Sequence, residues 1–166
     1  MKRYIYQKKY YDFKVVYLGY FVIAIGLFSL YQLITTGNAL YAFILIVCAY
    51  QIINTFVSLS NPEEVEIGKD HIAFKGFGKT HLYRFDEIED FRVKEFVMAK
   101  KIYLRINKDS GHLLKGRYWI DCLYFSDGEE LFRYLIKKED EIHPDTIKAY
   151  AHKSNQIPSD KKKENN

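Results

Sequence analysis

From Val15 to Pro62 the chain runs 48 residues without an Asp, Glu, Lys or Arg. Those four types make up 28% of its 166 residues, so an even spread would put about 13 of them in such a window. A gap of that size excludes a plain soluble globule. The mean hydropathy of -0.26 hides it by averaging.

Val15–Thr35 supplies 21 uncharged residues. At 1.5 Å per residue a helix of that length covers about 31 Å, the thickness of a bilayer's hydrocarbon core. Thr36-Gly37-Asn38 is a turn cluster of hairpin length. A second uncharged run of 21 residues, Ala39–Leu59, leads to Ser60-Asn61-Pro62. A charge at the centre of a membrane helix costs roughly 2.5–3.5 kcal/mol, so its absence from both runs is informative. Buried helices of a soluble core would need a polar face along their length, and neither run has one. The first run also exceeds the apolar region of a cleaved signal peptide. The expectation is a membrane α-hairpin, with transmembrane helices at 15–35 and 39–60.

The flanks set the expected orientation. Residues 1–14 carry Lys2, Arg3, Lys8, Lys9 and Lys14 against one acid, Asp12, while the inter-helix turn carries no charge. By the positive-inside rule both termini are cytoplasmic, in a two-span protein of the cell membrane. Tyr4, Tyr6, Tyr10, Tyr11 and Phe13 interleave with these basic groups. The segment therefore reads as an interfacial anchor, with aromatic rings at headgroup depth and ammonium groups on anionic lipid. It gives no sign of nucleic-acid binding, which needs a basic surface on a folded domain.

The second span has a polar face near its cytoplasmic end. Tyr50, Asn54 and Ser58 fall at i, i+4 and i+8, with Gln51 and Thr55 beside them. Such groups bond to neighbouring helices in a membrane. They serve either the hairpin itself or a substrate path or oligomer contact. Gly19 and Gly26 on one span, and Ala42 and Ala49 on the other, predict a close-packed seam.

The cytoplasmic part, 63–150, holds 16 basic and 18 acidic residues. Its apolar positions alternate: Val65 with Ile67, Ile72 with Phe74, Ile102 with Leu104 and Ile106, Tyr118 with Ile120 and Cys122. Strand-like stretches at Lys79–Phe85 and around Phe91 and Val93 complete the set, and Asn107–Gly111 reads as a turn. Six or seven short strands predict an antiparallel sheet curled into a sandwich or small barrel. Ser126-Asp127-Gly128-Glu129 reads as a capping box, followed by Leu131, Phe132, Leu135 and Ile136 at helical spacing. Pro144 suits the first position of a shorter helix. Residues 154–166 are polar and read as a disordered tail.

These residues carry a resemblance. The stretch Tyr83–Val93, YRFDEIEDFRV, is similar to a strand, loop and strand of bacterial pleckstrin-homology-like domains. Tyr118–Leu135, YWIDCLYFSDGEELFRYL, resembles their last strand and closing helix. The resemblance implies an α+β cytoplasmic domain, a curled antiparallel sheet or barrel closed by a C-terminal helix. Such domains commonly follow a two-span hairpin in small bacterial membrane proteins. Some of their eukaryotic counterparts bind phosphoinositides through early basic residues, and Lys75, Lys79 and Arg84 occupy a similar place here. They join Lys2, Arg3, Lys8, Lys9 and Lys14 as candidate contacts to membrane lipid.

Other constellations are weaker. Ala73–Thr80 fits a loose phosphate-loop spacing, but Thr80 leads into strand-like residues where a nucleotide site needs a helix. The five histidines show no ligand spacing with Cys48 and Cys122, so no metal or other cofactor is expected. Asp86, Glu87, Glu89 and Asp90 read as a solvated acidic turn. No residue set predicts catalysis. The function expected is a membrane-anchored binding or scaffold module that engages a protein or peptide at the inner membrane surface. The alternative is a subunit of a larger transporter or small channel, self-associating through the hairpin.

Overall fold

The computed structural model describes residues 1–107 and 115–152; of Asn107 it describes the backbone alone. The expected turn at Asn107–Gly111 falls mostly outside these residues, and the expected tail at 154–166 falls wholly outside them.

Strand β1 (Lys2–Ile5) comes first. A continuous helix, α1 (Lys8–Thr36), and a second, α2 (Ala39–Val57), follow, both long and apolar enough to cross a membrane. Gly37 ends α1 in the left-handed region, and Asn38 Oδ1 caps α2 by accepting from Leu40 N–H. Both helices turn π-helical at their domain-proximal ends, at Asp12–Tyr17 and Ile53–Val57. At 29 residues α1 is about 43 Å long, roughly eight residues more than the span read from the sequence. The excess lies at its charged start.

The apolar side chains of the pair have little protein to cover them. Phe21, Phe28, Phe43 and Ile46 are all more than half exposed. An apolar surface of that extent marks contact with something outside the chain. Between the helices the seam is tight. Gly19, Gly26 and Ser29 are buried on α1, and Cys48 is buried on α2. A Cβ on Gly19 would stand 2.6 Å from the Phe56 ring. Ala49, expected in this seam, is exposed, because α2 turns Cys48 inward instead.

The rest of the domain comprises β2 (Glu64–Ile67), β3 (His71–Gly76), β4 (Lys79–Arg84), β5 (Asp90–Phe96), β6 (Lys101–Asn107), β7 (Arg117–Asp121) and helix α3 (Gly128–Ile142). Two antiparallel sheets form, in the orders β1-β2-β3-β4 and β5-β6-β7. They share no ladder, so among the described residues the barrel is not closed. Their inner faces meet in one core. Phe74 stacks on Tyr118 at 3.9 Å between ring centroids, and Phe91, Ile102, Leu104, Ile120, Leu131 and Leu135 are fully enclosed.

The first strand departs from the sequence reading. Lys2–Ile5 pairs with Ile67–Glu64, so the opening segment is the edge of the sheet. Tyr4, Tyr6 and Tyr11 lie in the domain core, 2%, 6% and 3% exposed, where an interfacial anchor was expected. Burying three such rings outweighs any gain from placing them among headgroups. The helical hairpin is thus an insertion between two adjacent strands of one sheet.

The start of α3 also differs. Ser126 does not cap it. The Ser126 hydroxyl accepts from Ile5 N–H, and Ser126 N–H donates to Ile5 O. Asp127, left-handed at φ 49°, precedes the helix with no side-chain cap. Beyond α3, residues 147–152 are helical, and Thr146 Oγ1 accepts from Ala149 N–H.

Candidate functional site

Three features could engage something outside the chain: the junction of the hairpin with the domain, the outer face of the three-stranded sheet, and the strand edges.

The junction is built from aromatic and small residues. Phe77, in the two-residue turn between β3 and β4, has φ 48° and Gly78 has φ 70°. Those angles belong to the tight hairpin turn that matches strand twist. The turn lifts Phe77 against Phe56 of α2 and Tyr11 of α1, at 5.1 and 6.0 Å between ring centroids. Lys79 Nζ donates to Phe56 O at 3.0 Å, a cation on the carbonyl end of a helix. The Ala73–Thr80 pattern is therefore an antiparallel hairpin seated on the helix pair.

The basic residues expected on lipid are largely engaged with the domain. Lys2 pairs with Glu130 and Asp127, Lys14 with Asp121, and Arg84 with Asp86. Arg3 and Lys75 close over Glu64 and Glu66. Lys75 holds the Glu66 carboxyl below the usual carboxylate range. Lys8 and Lys9 are exposed at the start of α1. The eight residues therefore do not form one patch.

The polar face of α2 divides. Asn54 Oδ1 accepts from the Ser60 hydroxyl at 2.6 Å, and Ser58 Oγ donates to Ile53 O. Both residues shape the linker into β2. Gln51, Asn54 and Thr55 also line a cavity of about 200 Å³ with Lys14 of α1. Tyr50 points outward, 64% exposed.

The outer face of the three-stranded sheet carries a cluster of basic and aromatic residues that sequence reading missed. Residues directly opposite in register share a face. Arg92, Arg105 and Arg117 form one row across the three strands. Lys94, Tyr103 and Trp119 form the next, and Phe96, Lys101 and Asp121 the third. Five cations thus share a face with two carboxylates, Asp90, which pairs with Arg92 at 2.7 Å, and Asp121, which pairs with Lys14. Lys101 Nζ sits 5.0 Å from the Trp119 ring centre. The alternation of basic and aromatic residues in Lys101–Arg105 was the available signal.

Trp119 separates two cavities beneath the hairpin. One, of about 500 Å³, has walls from Phe13, Tyr17, Leu18 and Phe21 of α1 and from Lys101 and Asp121. The other, of about 380 Å³, lies between Tyr50, Ile53 and Asn54 of α2 and Tyr103 and Arg117.

The core holds one polar cluster. Tyr118 Oη lies 2.8 Å from His81 Nδ1 and 2.7 Å from Tyr83 Oη. Burial pushes the Tyr118 hydroxyl far above its ordinary range and lowers His81. Both are neutral near pH 7 and satisfy one another. Cys122, buried beneath the sheet, has its thiol pushed up to about 12. Among the described residues no group of three or more His, Cys, Asp or Glu could hold a metal ion.

The strand edges differ in cover. Ile5 of β1 is bonded in both directions to Ser126. On β5, Phe91 N–H donates to His143 Nε2 and Val93 N–H to Glu139 Oε1, while Lys148 Nζ donates to Val93 O. On β7, Trp119 N–H donates to Ser60 O. No such bond reaches the outward side of β4 among the described residues. Phe85 N–H donates to Asp70 O, which places Phe85 on the β3 side. By antiparallel alternation Tyr83 and His81 also face β3, and Thr80 and Leu82 turn their backbone groups outward. Leu82 is 57% exposed. No family model, curated protein or solved structure matches the chain.

Proposed function

We propose that this is a membrane-anchored binding module without catalytic activity, whose domain binds an extended segment of a partner protein at the inner membrane surface. The observation that carries the reading is the outward edge of β4, to which no hydrogen bond is made among the described residues, beside the exposed Leu82 side chain. An uncovered strand edge is a template for strand addition, in which backbone bonds give affinity and neighbouring pockets give specificity. The other three edges are covered near their middles, which leaves β4 as the docking strand among the described residues.

Several features support the anchoring. The two helices expose apolar side chains on every side but the seam between them, and the charges flanking them lie on the domain side. On this reading the hairpin crosses the membrane twice, with both termini cytoplasmic. The architecture supports kinship with pleckstrin-homology-like domains: strands in four- and three-membered sheets, then one amphipathic helix. The hairpin would be an insertion after the first strand. The neutral, mutually bonded core cluster supports a binding role over chemistry.

The test uses proline. Leu82→Pro removes an outward N–H, which an edge strand tolerates. A photo-crosslinking amino acid at Thr80, in full-length protein purified in mild detergent, should trap a discrete partner. Leu82→Pro should abolish that product while the unfolding midpoint stays unchanged. A crosslinked product that survives Leu82→Pro would remove strand addition at β4 from the account.

A further inference from the structure

We infer that the outer face of the β5-β6-β7 sheet rests on the leaflet that holds the hairpin and binds anionic phospholipid headgroups around Trp119. The inference rests on the hairpin crossing a membrane, and not on the partner site at β4.

Depth is the first argument. A hydrocarbon core of about 30 Å takes roughly 20 residues of helix, so counting back from Thr36 puts its boundary near Tyr17. Leu18 and Phe21 then lie inside the apolar layer. Trp119 lines the same cavity as these two residues, so its ring sits in the headgroup layer. Trp is the side chain most suited to that layer, with an apolar body and one polar N–H.

Charge is the second argument. The domain as a whole is nearly neutral, yet this face concentrates five cations against two acids, Asp90 beside Arg92 and Asp121 beside Lys14. Like charges directly opposite one another on neighbouring strands are destabilising, and Arg92, Arg105 and Arg117 stand abreast. A phosphate layer beneath them offsets that repulsion. Lys94, Lys101 and Arg117 have no carboxylate partner among the described residues. The outer face of the other sheet, by contrast, has Arg3 and Lys75 neutralised by Glu64 and Glu66.

The turn between β5 and β6 is the third. Val97 is 58% exposed and Met98 fully exposed, at the tip of a turn flanked by Lys94, Lys100 and Lys101. Phe96 stacks on Trp119 with centroids 6.0 Å apart, so the turn belongs to the same face. Apolar side chains at a tip ringed by lysines fit a loop that dips to the acyl boundary with its cations on phosphate.

Trp119 is the only tryptophan in the chain, so its fluorescence reports this face alone. The full-length protein is placed in nanodiscs containing brominated phosphatidylglycerol or brominated phosphatidylcholine at equal mole fraction. Both should quench Trp119, and phosphatidylglycerol roughly twofold more strongly. Combined Lys94→Gln, Lys101→Gln and Arg117→Gln should bring the two curves together. Equal quenching of the wild type would overturn headgroup selectivity. A preference that survives the triple variant would overturn the residue assignment. A second reporter, Phe28→Trp in a Trp119→Phe background, tests the anchor separately. If Phe28→Trp is quenched by lipid and Trp119 only by aqueous iodide, the face does not meet the leaflet and this inference fails alone. If neither is quenched by lipid, the membrane reading fails with it.

Discussion

Tyr4 lies directly opposite Val65 in the ladder that joins β1 to β2, with the entire helical hairpin between them in sequence. Tyr4 is 2% exposed and Val65 fully buried. The pairing ties the two ends of the hairpin to one folded body. Tyr4→Ala should destabilise the domain by about 3–5 kcal/mol, the usual cost of emptying a large buried aromatic site. Tyr10, which is 42% exposed, should tolerate the same change with a far smaller effect. Chemical denaturation of both variants in detergent, followed by circular dichroism, checks the contrast. Equal effects would mean that β1 is not part of the core.

The core cluster predicts a pH dependence. Burial lowers the His81 pKa from its ordinary value of 6.5. Below that value the unfolded chain takes up a proton that the folded protein refuses. Stability therefore falls as pH drops below about 6.5. Glu66, held low by Lys75, acts in the same sense, but below its ordinary value of 4.5. Between pH 7.5 and 5.5 the wild type should lose thermal stability, and His81→Gln should flatten that slope. A wild-type midpoint that holds constant over this window would contradict a buried neutral imidazole.

The polar face of α2 separates the binding-module reading from a membrane-complex subunit. Asn54 and Ser58 are already occupied within the chain, whereas Tyr50 and Gln51 are exposed. Gln51→Leu should leave the oligomeric state unchanged by native mass spectrometry. A shift in stoichiometry would favour self-association through the hairpin.

Local patterns made much of this architecture readable. The charge gap marks the hairpin, and the alternation at Ile102, Leu104 and Ile106 marks β6. Gly76-Phe77-Gly78 marks a turn. β1 escaped because its partner strand lies on the far side of the hairpin, and no local signal encodes so distant a pairing. Lys2 and Arg3 before an apolar run read as an anchor by the same rule that locates the hairpin. The Ser126 capping box failed for a related reason: Ile5 claims the hydroxyl. The basic face escaped because its cations come from three separate strands, and only register brings Arg92, Arg105 and Arg117 into one row.

The central proposal is that the hairpin spans the membrane twice and that its ends meet in one sheet on the cytoplasmic side. The most direct test is labelling of single cysteines in intact cells with a membrane-impermeant maleimide. Ile5, Thr36 and Leu123 are each exposed and are replaced by Cys one at a time, while the native Cys48 and Cys122 are buried. The account predicts that Thr36→Cys labels in intact cells, and that Ile5→Cys and Leu123→Cys label only after permeabilisation. Labelling of Ile5→Cys or Leu123→Cys in intact cells would contradict it.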